Sequence, residues 1–178
     1  MHSKWGIAAV LMLASAASQS DAFHPGSVIP GFGNVASVEQ DMAIPADAEF
    51  RVVFDVSTAT DPVEINRTFV SAARFLNMHV EAGVPEDRIH LAIVVHGRAV
   101  NDVARADFYA VHNGRAESAN AAAVAELQRH GVRFYVCGQS AAYYEVSNAD
   151  LLPGVEMALS AMTAHALLQQ QGYTLNPF

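Results

Sequence analysis

Phe50-Arg-Val-Val-Phe-Asp-Val56 and Ile89-His-Leu-Ala-Ile-Val-Val95 are apolar runs of strand length, rich in β-branched residues. The interval between them carries helix signals at both ends. Asp61 suits an N-cap, Pro62 the first helical position, and Glu64 the return partner of a capping box. Ile65, Phe69, Ala72, Leu76 and Val80 recur at spacings of three and four, which predicts one buried stripe. Gly83 is the expected stop, and Pro85 lies just past it. Strand, capped helix and buried strand predict a right-handed βαβ unit with parallel strands.

The alternation continues downstream. Ala119 to His130 is helical in composition, with Asn120 as a candidate cap and Gly131 as the stop. Val132 to Cys137 reads as a strand, Gln139 to Tyr144 as a short helix, and Leu151-Leu152 as a last short strand. From Val155 a long helix is expected, with Leu159, Met162, Ala166 and Leu168 on one face and Gly172 at its end. Arg98 to Ser118 gives no clear period. The fold class is therefore α/β: a three-layer sandwich around a mainly parallel sheet.

Upstream, Phe23 to Glu49 is rich in Pro, Gly and Ala and has no sustained period, so residues 23–49 read as an extended arm before a domain at 50–178. Residues 1–22 read as a signal peptide. Lys4 precedes an uncharged run from Trp5 to Ala17, too short for a membrane span of about 20 residues. Small residues at cleavage spacing follow, with Ser20-Asp21-Ala22 the preferred cut and Ala14-Ser15-Ala16 the alternative. A periplasmic protein without stable membrane insertion is the expectation.

Charge and composition narrow the chemistry. The net charge of −8 disfavours nucleic acid as a partner. Lys4 is the sole lysine, so the chain after cleavage has nine arginines, seventeen acidic residues and no lysine. That excludes a Walker-type phosphate site and a pyridoxal Schiff base. The single cysteine excludes an intrachain disulfide and a Cys-x-x-Cys pair.

Ligands of open parallel sheets collect beyond the carboxyl ends of the strands. Two groups fall there: His96 and Gly97 after one strand, and Cys137 with Gly138, Gln139 and Ser140 at the end of another. A helix starting after Cys137 would favour thiolate over thiol. Gly138 would admit a second sulfur or a substrate, and Gln139 and Ser140 would supply hydrogen bonds. The competing reading is an inert thiol filling the sheet edge. No histidine falls in H-x-H or H-E-x-x-H spacing, and no metal or other cofactor is expected. His79 and His165 read as packing residues on helices. Gly138-Gln-Ser-Ala-Ala142 lacks the second glycine of a hydrolase nucleophile elbow. The sequon Asn66-Arg67-Thr68 falls inside the predicted helix.

Five segments together resemble one family. They are Phe50 to Ser57, Ala73-Arg-Phe-Leu-Asn-Met-His79, Val94-Val-His-Gly97, Phe134-Tyr-Val-Cys-Gly-Gln-Ser140 and Leu151-Leu-Pro-Gly154. From about Phe50 onward the chain resembles an exported branch of the DsrE/DsrF-like proteins of sulfur metabolism. The resemblance implies a parallel α/β sandwich of flavodoxin- or Rossmann-like topology and a homo-oligomer, trimer or hexamer. It also implies a persulfide carrier or sulfurtransferase accessory, in which Cys137 matches the sulfur-bearing cysteine. A small thiol or another protein would then donate and accept the sulfur. Two features depart from the sulfur-relay members, which act in the cytoplasm with partner subunits: the export signal and the lack of a second cysteine. The alternative function is a non-catalytic periplasmic module for a small ligand, or an oligomeric scaffold.

Overall fold

The computed structural model describes residues 22–114 and 118–177, so most of the signal-like segment lies outside the described residues. The arm holds two short strands paired antiparallel, β1 (Phe23–His24) and β2 (Val35–Ala36). The domain continues with β3 (Phe50–Val56), α1 (Arg67–Glu81), β4 (Ile89–Val95), α2 (Ala106–Asn113) and α3 (Ala119–Arg129). It ends with β5 (Arg133–Cys137), α4 (Gly138–Tyr143), β6 (Val155–Ala158), α5 (Ala161–Gln170) and β7 (Thr174–Asn176).

Five of these strands form one sheet in the order β6-β5-β4-β3-β7, and every pair in it is parallel. Successive strands step outward from β3 to β6; α5 then carries the chain back under the sheet to β7, beyond β3. The result is the expected α/β sandwich. β4 lies at the centre and is buried along almost its whole length, which is why its sequence shows no alternation.

The two faces of the sheet are unequal. On one, Val52, Phe54, Val56, Leu91, Ile93 and Phe134 pack against Phe69 and Leu76 of α1 and Val124 and Leu127 of α3. Phe69 meets Phe134 edge-on with ring centroids 5.4 Å apart. On the other, Val53, Ala92 and Val94 pack against Ala164 and Leu168 of α5 and Tyr173. Among the described residues, α5 is the one helix over that face.

The arm packs on α1. Ile29 and Val35 are buried, and Asn77 of α1 is wholly buried beneath the arm. Its Oδ1 accepts from the Val28 and Ile29 amides at 3.2 and 2.8 Å. Its Nδ2 donates to the carbonyls of Ile29 and Gly33 at 3.0 and 3.1 Å.

Several local expectations are corrected. Helix α1 is capped by Asn66, whose side chain accepts from the Thr68 amide, and not by Asp61. Asp61 to Glu64 close a turn instead, with the Glu64 amide 2.9 Å from the Asp61 carbonyl. Asn66 is buried, since its own amide and side chain are tied to neighbouring elements, so the sequon opens the helix and does not lie within it. Likewise Ser118, not Asn120, caps α3. Leu151 makes only an isolated bridge to Ala104; the edge strand beside β5 is Val155–Ala158, where a helix was expected. The following helix is capped by Ser160, and Leu159, Met162 and Ala166 are exposed. The unreadable segment holds a 3-10 turn at Gly97–Val103 and α2.

Candidate functional site

The candidate site lies at the carboxyl edge of the sheet, on the face that α5 covers. β5 exits to α4, whose Ala141 packs into the α1–α3 side, whereas β6 exits to α5 on the opposite side. Adjacent strand ends that diverge to opposite faces leave a crevice between them, where ligands of such sheets bind. Cys137, paired with Ala158 of β6, stands at this crevice.

The sulfur is held from several sides. Burial raises the Cys137 thiol, but hydrogen bonds from the Ser140 hydroxyl and from the amides of Ser140, Ala161 and Gln139 outweigh it. The balance holds the thiol below its ordinary value, toward thiolate. Ala161 opens α5, and Gln139 and Ser140 lie in the first turn of α4. Ser140 is itself oriented, because its Oγ accepts the Gly97 amide at 3.0 Å and leaves the hydroxyl proton for the sulfur.

Gly97 adopts a left-handed φ of 53°, and a Cβ there would lie 2.8 Å from the Ser57 carbonyl. Glycine at this position therefore lets the chain turn sharply after His96 and aim its amide at Ser140. Gly138 has a packing role. A Cβ on it would meet the carbonyls of Ala158 and Leu159 at 2.7 and 3.2 Å, so the missing side chain lets α4 close on the end of β6. Gln139 turns outward, and its Nε2 donates to the Leu159 carbonyl at 3.2 Å.

A second group occupies the same face. Residues of one parallel register share a side of the sheet, and side chains alternate along each strand. Asp55 pairs with Val94, and Tyr135 also pairs with Val94, so Asp55, His96 and Cys137 all point toward α5. The carboxylate of Asp55 accepts two imidazole N–H groups: His96 Nε2 at 2.9 Å on Oδ2 and His165 Nε2 at 2.6 Å on Oδ1. Burial raises the Asp55 carboxyl, but these two hydrogen bonds outweigh it and hold it below the ordinary carboxylate value. A cleft of about 250 Å³ lies next to Asp55, walled by residues 56–60 and by Asn66 to Thr68. Among the described residues, no group of three or more His, Cys, Asp or Glu side chains has metal-holding geometry.

Residues 51–177 match the DsrE/DsrF-like family. The chain belongs to the DsrE/DsrF-like family. A search among curated proteins returns no match. Several solved structures share the fold, two of them from named organisms. One is MTH1491, a protein of unknown function from Methanobacterium thermoautotrophicum, at 22% identity and a TM-score of 0.53; the alignment covers 73% of this chain and 100% of that one. The other is the ychN protein from E. coli, at 17% identity and a TM-score of 0.52, covering 72% and 99% of the two chains.

Within this DsrE/DsrF-like domain the structure brings His96, Gly97, Cys137, Gly138 and Ser140 to one edge, with Gln139 on its exposed rim. His79 packs as expected, stacked on Phe75 with centroids 3.9 Å apart. His165 does not merely pack, since its Nε2 is hydrogen-bonded to Asp55. Asp55 itself was missed. Its signal was a carboxylate among the apolar residues Val52, Val53, Phe54 and Val56, a position that costs stability unless the charge is partnered.

Proposed function

We propose that this DsrE/DsrF-like protein is an exported sulfur carrier. Cys137 accepts a sulfur atom as a persulfide and yields it to a thiol on another molecule. The carrying observation is the set of donors on the Cys137 sulfur, the Ser140 hydroxyl and three backbone amides. Such a set favours an anion, whereas a thiol that only fills space needs no donors. Because the chain has one cysteine, discharge requires a thiol from a small molecule or a second protein. Exposed Tyr143, Leu159 and Met162 around the crevice support a homo-oligomeric assembly or a partner surface.

The test is intact mass after incubation with polysulfide. Wild type is expected to gain about 32 mass units, one sulfur atom, and the Cys137→Ser variant none. An equal gain in both proteins would refute the carrier.

The 6% exposure of Cys137 favours a second reading, a binding module in which the sulfur is sealed. Alkylation by iodoacetamide in the native state separates the two. A carrier thiol reacts within minutes near neutral pH, and a sealed one reacts only after unfolding.

A further inference from the structure

The donors around the sulfur stabilise a thiolate, but none of them can take up or return a proton at neutral pH. Sulfur transfer moves a proton, and the Asp55 cluster stands on the same face. His165 is the fixed member: its Nε2 is on Asp55, and its Nδ1 is buried with no partner among the described residues. A proton on that Nδ1 would be a buried donor without an acceptor, which favours a single proton on Nε2. His96 is the open member. Its side chain is 32% exposed, and only its Nε2 is engaged by Asp55.

His96 also stands next to Cys137 along the carboxyl edge of the sheet. It follows Val95, whose register partner Val136 precedes Cys137, and adjacent strands run about 4.8 Å apart. The bond from the Gly97 amide to Ser140 ties the two strand ends together. The other ionisable groups that the strands place on this face lie further back. They are Arg51 on β3, His90 on β4, Arg133 and Tyr135 on β5, Glu156 on β6, and Tyr173, whose hydroxyl accepts from Arg133 at 2.7 Å.

We propose that His96, oriented by Asp55 and His165, carries the proton that sulfur transfer at Cys137 has to move. The proposal rests on the carrier reading above. Cys137 starts as the thiolate that its donors favour, with the proton held on His96, and attacks the outer sulfur of a small persulfide, R–S–SH. A bond forms between Cys137 Sγ and that sulfur as the R–S to sulfur bond breaks. The electron pair leaves on RS⁻, which takes the proton from His96. The products are Cys137–S–SH and RSH; one sulfur–sulfur bond replaces another, and no external oxidant or reductant is consumed. Asp55 and His165 are positioning residues.

Two probes of Cys137 test this. Glutathione persulfide releases a basic thiolate that benefits from protonation, whereas 2,2′-dithiodipyridine releases a group that needs no proton from the protein. His96→Gln is expected to slow transfer from glutathione persulfide roughly 100-fold, while the reaction with dithiodipyridine stays within about threefold of wild type. Asp55→Asn and His165→Gln are each expected to slow the persulfide reaction alone, by roughly tenfold. Equal losses with both probes, or no loss with either, would overturn the relay. If wild type reacts with dithiodipyridine but takes no sulfur from persulfide or polysulfide, the carrier reading falls and takes the relay with it. Uptake that is indifferent to His96 removes the relay alone.

Discussion

Replacing Asn77 with alanine is expected to cost about 3–5 kcal/mol of unfolding free energy and to free the arm from α1. The reason is the number of groups that one side chain satisfies. Two arm amides and two arm carbonyls end on the Asn77 carboxamide, and it is 0% exposed. Each buried backbone group left without a partner costs about 1–3 kcal/mol, and water entering the gap recovers part of the sum. Ile29 and Val35 would lose their cover along with it. The checks are a denaturant midpoint and limited proteolysis, in which the variant should be cut within residues 24–49 while wild type resists. A loss below about 1 kcal/mol with an unchanged digest would mean that apolar contacts alone hold the arm.

The second large effect runs in the opposite direction. Asp102 is 1% exposed, and its Oδ2 accepts from Asn66 Nδ2 at 2.7 Å and from the Thr60 amide at 3.1 Å. Burial raises its carboxyl from 3.8 to about 6, against the lowering effect of these two bonds. The folded state therefore binds this proton more tightly than the unfolded chain does. Between about pH 4 and 6 stability falls as pH rises, and above pH 6 the full cost of the buried charge, about 3 kcal/mol, is present. Asp102→Asn keeps an oxygen for both donors and removes the charge. It is expected to stabilise the fold by about 1–3 kcal/mol at pH 8 and by little at pH 4. Thermal melts of both proteins across that range are the check. A variant less stable than wild type at pH 8 would show that the ionised form is needed to hold Asn66 and Thr60.

The sequence revealed what depends on local pattern. Phe50–Val56 and Ile89–Val95 are strands over the whole quoted length, because buried parallel strands need only continuous β-branched apolar residues. Gly83, Gly131 and Gly172, read as helix stops, all have left-handed φ. What failed depends on distant contacts. Asn66 outcompetes Asp61 as a cap because Asp102 and Asn120, 36 and 54 residues away, hold it in place. Val155-Glu-Met-Ala158 contains good helix formers, yet it lies in register with Phe134 to Cys137 and extends the sheet. In the site, Cys137 and His96 were legible as residues at strand ends. The pairing of Asp55 with His165 spans 110 residues and has no periodic signature.

The face of the sheet that holds the site has one helix over it. Its first amide reaches the Cys137 sulfur, and His165, one turn further on, fixes Asp55. On the carrier reading, one helix thus supports both the sulfur and the carboxylate that orients His96. If α5 lifted, the sulfur would lose a donor and Asp55 would lose an imidazole in the same event. In hydrogen exchange the amide of Ala161 and those near His165 would open together, at one rate. On the carrier reading, reactivity at Cys137 then depends on the docking of ten residues, although the sulfur itself belongs to the sheet.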